Sequence, residues 1–250
     1  MSYGLTIVSV CGRLRQRFEK VGVQSTEDVR RAYRQMLFEA EGAPDYVSGA
    51  ILDPETVFQS SSLGVPLPQL LTARGILPGV KPSLTVYKLP GCDGETVMQG
   101  LDSLAERLRS YKAAGCVFAK WRSPLNIDIA AGKPSQLAME SNMRDQARYA
   151  LICQSEGIVP IVEPDLVLTG SHTLEDAVEV RGCACTRACT RHGASSHPSS
   201  QPAAQRSRAW ALHCTAPCAQ NTATAPLGGG FWSGGQATVS SCAIEYHRTE

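Results

Sequence analysis

Ile158-Val-Pro-Ile-Val-Glu163-Pro-Asp165 is the stretch that decides the fold, and Phe118-Ala-Lys120-Trp-Arg122 has the same design about forty residues earlier. Each stretch is a short apolar run that ends in charged residues. Parallel strands of α/β proteins are buried on both faces, and in an α/β barrel their carboxyl ends open onto the active site. Strands that end in Lys, Arg or Glu therefore predict a barrel with functional residues at its mouth.

Apolar strands alternate with amphipathic helices between residues 13 and 162. The segment from Gln99 to Ala114, for example, places Leu101, Leu104 and Leu108 at helical spacing. This alternation indicates βα units on a parallel sheet. We predict the α/β class and a partial TIM (β/α)8 barrel, with strands at 47–52, 75–81, 116–119 and 158–162 and helices at 13–21, 25–40, 99–114 and 135–156.

The bulk composition argues against several classes of protein. The 250 residues carry 24 basic and 23 acidic side chains, a net charge of +1, which favours neither a nucleic acid nor a membrane surface as partner. No apolar run reaches the length that spans a bilayer. The opening residues are too few, and too soon followed by arginine, for a signal peptide. The expectation is a cytoplasmic enzyme.

Composition changes abruptly near Arg181. Residues 181–250 hold six arginines, two acids and no lysine, and they carry six of the ten cysteines. Such a segment buries little apolar surface, which predicts irregular or disordered chain. We expect a divergent N-terminal segment at 1–12, an incomplete barrel at 13–180, and a low-complexity tail at 181–250 that is not an independent domain. The abruptness suggests a frameshift, a retained intron or an aberrant splice.

The charged strand ends form one candidate site. Barrel topology places the strand ends at Lys81, Lys120–Arg122 and Glu163–Asp165 around a single mouth. Arg122 can grip a phosphate with a bidentate fork, Lys81 can add a point charge, and a carboxylate beside a lysine can relay protons. A lone strand-end lysine is more often a solvated charge. Three such ends together favour a site for a phosphorylated substrate with a carbonyl group.

The chain resembles class I fructose-bisphosphate aldolases from about residue 13 to residue 180. The resemblance implies a (β/α)8 barrel that cleaves fructose 1,6-bisphosphate to dihydroxyacetone phosphate and glyceraldehyde 3-phosphate, in glycolysis and gluconeogenesis. It also implies a lysine Schiff base, no metal or other cofactor, and a homotetramer that is cytoplasmic or, alternatively, of plastid origin. The matching stretches are Gln24–Gln35, Ser48–Leu52, Gly79-Val-Lys81, Gly94-Glu-Thr96, Gln99–Asp102, Phe118–Arg122, Ala147–Ala150 and Ile158–Pro164.

By that resemblance, three residues carry the proton chemistry. Lys120 matches the strand-4 lysine that assists proton handling and carbinolamine formation. Glu163 matches the strand-5 glutamate that acts as general acid and base during Schiff-base formation. Asp165 stands where the family has a second glutamate, which is one methylene longer, so the reach of Asp165 is open.

The same resemblance assigns substrate binding to a second set. Lys81 and Arg122 match basic residues that contact the substrate, and Arg17 matches an arginine on the phosphate side. The segment around Ser233 and Gly234 reads Phe-Trp-Ser-Gly-Gly-Gln and is similar to the strand-7 loop Leu-Ser-Gly-Gly-Gln, whose backbone N–H groups cradle a phosphate. Ser-Gly-Gly is also common in low-complexity chain, so both interpretations stay open.

Two departures from the family pattern predict impaired or absent activity. The family's first strand carries an aspartate in an Ala-Ala-Asp-Glu-Ser context, where this sequence reads Leu5-Thr-Ile-Val-Ser-Val-Cys11. The Schiff-base lysine belongs some forty residues past Glu163, whereas the last lysine of this sequence is Lys133. Without that imine, the electrons of the cleaved carbon–carbon bond have no sink.

Two other functions stay open. One is a non-catalytic aldolase-like protein whose retained strand-end residues bind sugar phosphates, or which presents a surface to a partner such as actin. The other, less favoured because the gaps between its ligands are mixed, is a zinc module in the tail. Stabilisation by fructose 1,6-bisphosphate or by zinc would separate the two. The zinc ligands would come from Cys183-x-Cys185-x3-Cys189-x2-His192 and Cys214-x3-Cys218.

Overall fold

The computed structural model describes residues 6–10 and 14–184, and the backbone of 185–190, 235–240 and 243–248. The strands are β1 (Ile7–Ser9), β2 (Gly49–Leu52), β3 (Leu77–Val80), β4 (Val86–Lys88), β5 (Thr96–Met98), β6 (Phe118–Leu125), β7 (Val159–Leu166), β8 (Gly235–Ser240) and β9 (Ala243–Arg248). The helices are α1 (Leu14–Lys20), α2 (Glu27–Glu39), α3 (Ala43–Tyr46), α4 (Pro54–Val57), α5 (Leu67–Ala73), α6 (Leu104–Ala113), α7 (Gln136–Ser155) and α8 (Leu174–Thr190).

Five strands form one parallel, curled sheet in the order β1-β2-β3-β6-β7, which is half of a barrel. Helices connect successive strands of this sheet, as parallel pairing requires. Two antiparallel hairpins, β4–β5 and β8–β9, form separate two-stranded sheets. The sheet confirms the predicted α/β class and the partial barrel.

The outer face of the sheet packs against the helices. Trp121 of β6 is fully buried and lies against Tyr149 of α7, with ring centroids 5.2 Å apart. Leu52 of β2 and Leu108 of α6 are also fully buried in the same cluster. Each large side chain removed from water in this way stabilises the fold by about 1.5–3 kcal/mol.

The inner face of the sheet carries a second apolar layer. Ile51, Phe118 and Ile161, from three different strands, are buried there against one another. A Cβ on Gly79 of β3 would lie 2.2 Å from the Phe118 ring, so the strand needs glycine at this point. This layer forms a floor inside the half-barrel, below the charged strand ends.

Helix α8 crosses the expected boundary at residue 181. Val180 and Ala184, one helical turn apart, are buried in a cluster with Leu125 and Met143. Residues 181–190 are therefore helical, in contrast to the irregular chain expected there, because small apolar residues at helical spacing pack on α7. The remainder of the tail, apart from β8 and β9, lies outside the described residues.

None of the described helices is long and apolar enough to cross a membrane.

Candidate active site

Two ion pairs join β6 and β7 just past the level at which β3 ends. In the parallel register Lys120 is opposite Ile161 and Arg122 is opposite Glu163, so each cation reaches a carboxylate two residues beyond its register partner. The Nζ of Lys120 lies 2.6 Å from Oε2 of Glu163. The Nε of Arg122 donates to Oδ2 of Asp165 at 2.7 Å, and a second guanidinium nitrogen contacts the same oxygen. The predicted proximity of these four residues is therefore present in the structure.

Strand alternation explains why these side chains face the mouth. Lys120 and Arg122 are partly exposed on the inner side of β6, whereas Trp121 and Ser123 between and after them are fully buried on the helix side. Residues of a strand alternate between its two faces, so one strand supplies both the core and the site. The side chain of Asp165 reaches Arg122, and its catalytic role in place of the family's glutamate stays a prediction.

Both ion pairs remain accessible to solvent. The side chains of Lys120 and Glu163 are 14% and 31% exposed, and those of Arg122 and Asp165 are 41% and 30% exposed. Ion pairs with this much solvent contact stabilise a fold by about 0–1 kcal/mol. Arg122 uses two of its five N–H donors on Asp165, which leaves donors for an anionic group. The arrangement is thus better suited to holding a ligand than to holding the sheet together.

Lys81 stands one position beyond the end of β3. Its backbone N–H donates to the carbonyl of Leu52 at 3.0 Å, which extends the ladder between β2 and β3. Since Val80 is opposite Ala119, Lys81 occupies the same level of the sheet as Lys120 on the next strand. Its Nζ donates to the carbonyl oxygen of Ser83 at 3.2 Å. The structure therefore places this cation at the same edge, held by a backbone carbonyl, and within the described part of the chain it forms no ion pair with a carboxylate.

Of the remaining predicted residues the structure describes only Arg17, and it is not brought to this group. Arg17 lies exposed on α1, and among the described residues no hydrogen bond or ion pair links it to the strand ends. Ser233 and Gly234 lie outside the described residues. The first strand, Ile7–Ser9, pairs in parallel with β2 and ends without a carboxylate.

Sequence reasoning passed over two residues at this edge. Asp53 follows β2 directly, and its Oδ1 accepts from the N–H of Glu55 at 3.2 Å to cap α4. The signal was available, because Asp-Pro-Glu after a strand is a helix-start pattern. Arg107 of α6 donates to the carbonyl oxygens of Pro82 and Gly100. No local sequence pattern predicts the contact with Pro82, because Pro82 and Arg107 are 25 residues apart in the sequence.

The buried cysteines offer no alternative nucleophile. Burial raises the pKa of Cys116 to about 12 and that of Cys153 to about 12. A thiol with such a pKa is almost entirely protonated near neutrality, whereas the thiolate is the reactive form. Both thiols are accordingly part of the core.

The described residues contain no group of three or more His, Cys, Asp or Glu side chains that would hold a metal ion. Cys183, Cys185 and Cys189 lie on α8. The other ligands of the alternative zinc module, which are His192, Cys214 and Cys218, lie outside the part of the chain that the structure describes.

A curled parallel sheet whose strands alternate with helices, with charged side chains on its C-terminal side, is typical of the α/β-barrel class of proteins. Comparison with known proteins narrows this class. The family model for class-I fructose-bisphosphate aldolases matches residues 5–192. The chain belongs to that family, as the resemblance predicted, and the match extends beyond residues 13–180 at both ends.

Individual relatives agree with the family match. Fructose-bisphosphate aldolase 1 of Toxoplasma gondii is 46% identical over 169 residues, which cover 68% of this chain and 47% of the relative. The cytosolic fructose-bisphosphate aldolase 6 of Arabidopsis thaliana is 42% identical over 184 residues, covering 72% of this chain and 51% of the relative. The chain thus spans about half the length of the curated relatives it matches.

A solved structure has a similar fold. It is the fructose-bisphosphate aldolase of Plasmodium falciparum in complex with TRAP and a small-molecule inhibitor. The TM-score is 0.71 at 38% sequence identity, and the match covers 74% of this chain and 55% of that chain.

Proposed function

We propose that these 250 residues bind fructose 1,6-bisphosphate at the carboxyl edge of β3, β6 and β7, and that their aldolase activity is impaired or absent. The observation that carries the proposal is the Lys120–Glu163 pair, which joins an amine and a carboxylate at 2.6 Å in a solvent-accessible position. Family membership supports the substrate, and the departures from the family pattern support the loss of turnover.

Phosphate binding rests on Arg122 and Lys81. A guanidinium offers paired N–H donors that match two phosphate oxygens, and an ammonium adds a compact charge. Both cations lie on one side of the sheet, Lys81 directly after β3 and Arg122 within β6 past the level where β3 ends. The carboxylate of Asp165 orients the Arg122 guanidinium, while the nitrogens not engaged with Asp165 point to a role in holding an anion.

Proton handling rests on Lys120 and Glu163. A carbinolamine that forms on another lysine needs a proton on its oxygen before water leaves. An ammonium and a carboxylate within hydrogen-bond reach of each other are suited to give that proton and to take it back. The 2.6 Å contact between Lys120 and Glu163 meets this geometric condition, whereas the sequence has no lysine after Lys133 to carry the carbinolamine.

Carbon–carbon cleavage needs two more groups. A lysine imine must accept the electron pair of the breaking C3–C4 bond, and a base must take the proton of the C4 hydroxyl. The sequence has no lysine after Lys133 and no carboxylate on its first strand. We infer that substrate is held and the bond is left intact, which is also the behaviour of a non-catalytic sugar-phosphate-binding protein. A cytoplasmic location is part of the proposal, supported by the similarity to a cytosolic relative.

Isothermal titration calorimetry with fructose 1,6-bisphosphate tests the binding half of the proposal. We expect Arg122→Met and Lys120→Met each to weaken binding by about tenfold or more, as loss of a charge-assisted hydrogen bond does. Arg144→Met and Lys112→Met are matched controls, since both cations lie on helices α7 and α6 and contact Glu140 and the Glu156 carbonyl. Equal binding by all four variants, or none by the parent chain, would contradict the proposal.

A further inference from the structure

We propose that Arg107 is a positioning residue that fixes the place of the Lys81 ammonium through the backbone of residues 81–83. The inference rests on the proposed function, because it assigns Arg107 to the same sugar-phosphate site. Arg107 itself lies on α6 and is separated from the site by the loop that it holds.

Arg107 connects two loops. One guanidinium nitrogen donates to the carbonyl oxygen of Pro82, directly after Lys81, and another donates to the carbonyl oxygen of Gly100. The second nitrogen also lies 3.4 Å from the carbonyl oxygen of Asp102. The planar guanidinium therefore bridges the loop after β3 and the loop before α6.

The two loops also touch directly. The N–H of Leu84 donates to the carbonyl of Gln99 at 2.9 Å. Gly100 has a φ of +123°, and a Cβ at this position would lie 3.0 Å from the Leu84 nitrogen. A φ in this range favours glycine, and the close approach leaves no space for a side chain. The two loops therefore pack backbone against backbone at Leu84 and Gly100, and Arg107 hydrogen-bonds to both loops.

Lys81 depends on this assembly for its position. Its Nζ donates to the carbonyl oxygen of Ser83, and Ser83 is 2% exposed. The carbonyl that Arg107 holds belongs to Pro82, between those two residues. Movement of the Pro82 peptide would therefore shift both the Lys81 backbone and the oxygen that anchors its amine.

Arginine is suited to this task where lysine is not. Its rigid fork presents several donors in one plane, so that two carbonyls from different segments are satisfied at once. A lysine at the same position would keep the charge and lose the fork. Arg107→Lys is therefore expected to give an effect between those of the parent and of Arg107→Met.

Arg74 provides a matched control. It also donates to two backbone carbonyls, those of Phe38 and Ala40, but at the end of α2 and away from the strand ends. If Arg107 acted only by stabilising the fold, Arg74→Met would have the same consequences as Arg107→Met. Different consequences at Lys81 would separate positioning from general stability.

The test follows Lys81 itself. The full chain has six lysines, and reductive methylation with 13C-formaldehyde gives each a methyl resonance, with Lys81→Arg identifying that of Lys81. We expect Arg107→Met to move the Lys81 resonance and to weaken fructose 1,6-bisphosphate binding by about tenfold. We expect Arg74→Met to lower the melting temperature and to leave both readouts unchanged. If Arg107→Met does not fold, the Lys81 resonance and the fructose 1,6-bisphosphate affinity of Arg107→Lys test the inference instead.

An unmoved Lys81 resonance in the Arg107 variants, or an equal movement in Arg74→Met, would overturn the inference. Failure of the proposed function has a different signature, because the parent chain would then bind no fructose 1,6-bisphosphate while the resonance still moved.

Discussion

The ring of Phe118 occupies the space beside Gly79, so close that a Cβ on this glycine would lie 2.2 Å from the ring. Phe118 is buried, and the contact joins β3 to β6 directly below Lys81 and Lys120. The floor of the half-barrel therefore packs closely beneath the two strands that carry these cations.

Gly79→Ala should destabilise the protein by about 1–3 kcal/mol, because the new methyl group overpacks the inner layer. Gly182→Ala on α8 is the control, since nothing lies within 4 Å of its added Cβ, and alanine is favoured over glycine within a helix. Urea unfolding measures both changes, and Phe118→Leu in the Gly79→Ala background should recover part of the loss. Equal stability of the two alanine variants would contradict the packing described for β3 and β6.

Gln146 on α7 is fully buried, and among the described residues neither its amide nitrogen nor its amide oxygen has a hydrogen-bond partner. Burial of an unpaired amide costs about 1–3 kcal/mol in proteins. Gln146→Leu should therefore raise the free energy of unfolding by about 1 kcal/mol or more. The exposed Gln136, at the start of the same helix, serves as control, and Gln136→Leu should change the free energy by about 0.5 kcal/mol or less. Destabilisation by Gln146→Leu would mean that the amide is satisfied in solution.

Glu55 should govern part of the acid sensitivity. Burial acts to raise the pKa of Glu55, but hydrogen bonds and positive charge from Arg30 and Arg34 outweigh burial and hold the pKa below its ordinary value of 4.5. A carboxyl group whose pKa is lowered by folding contributes stability above its unfolded pKa, and the contribution is lost as pH falls through the folded pKa. The parent chain should therefore lose stability as pH falls below about 4.5.

The variant Glu55→Gln tests whether the stability that Glu55 contributes is lost as pH falls. At neutral pH it should cost about 1–3 kcal/mol, since two charge-assisted partners are lost. Below the folded pKa the parent and the variant should converge, whereas Glu41→Gln, at an exposed position, should follow the parent throughout. A constant difference between parent and Glu55→Gln from neutral to acid pH would contradict the assignment. Chemical denaturation across this pH range supplies the data.

Cys116 and Cys153 should resist alkylation in the folded protein. With a pKa of about 12 for each, the thiolate fraction at pH 8 is about 10⁻⁴. Iodoacetamide at pH 8, followed by peptide mass spectrometry, should label the exposed Cys183 long before either core thiol. In urea the three should react alike. If Cys116 of the folded protein were alkylated as fast as Cys183, the core between the sheet and the helices would be accessible to solvent, which contradicts this prediction.

Much of the site could be predicted from sequence because it depends on local signals. Apolar runs marked β6 and β7, and parallel topology then brought Lys120 beside Glu163. The predicted strands ended too early, because the first charged residues, Lys120 and Glu163, were taken as the strand ends, whereas β6 continues to Leu125 and β7 to Leu166. Beyond Ala119, β7 is the only described strand that pairs with β6, so one side of β6 is an open edge. Proline has no N–H to donate, and Pro124 is tolerated because an edge position requires none.

Other features depend on contacts that no local pattern contains. The β4–β5 hairpin has two three-residue strands, and Val86 and Tyr87 are exposed, so it has no strong apolar alternation. Arg107 contacts the backbone carbonyls of residues that lie 25 and 7 positions away in the sequence. Every residue has a backbone carbonyl, so the sequence does not indicate which ones Arg107 will contact. The end of α8 was hidden because the composition around it resembles irregular chain.

The central claim is that these residues keep a substrate-facing site without an imine-forming lysine. Intact mass spectrometry after borohydride reduction with dihydroxyacetone phosphate tests it most directly, using protein whose fold is verified by circular dichroism and a full-length class I aldolase in parallel. The account predicts an unchanged mass for this chain and a stoichiometric adduct for the full-length enzyme. A stoichiometric adduct on this chain, mapped to Lys120 or Lys81, would contradict the account, because a lysine of the site would then form the imine.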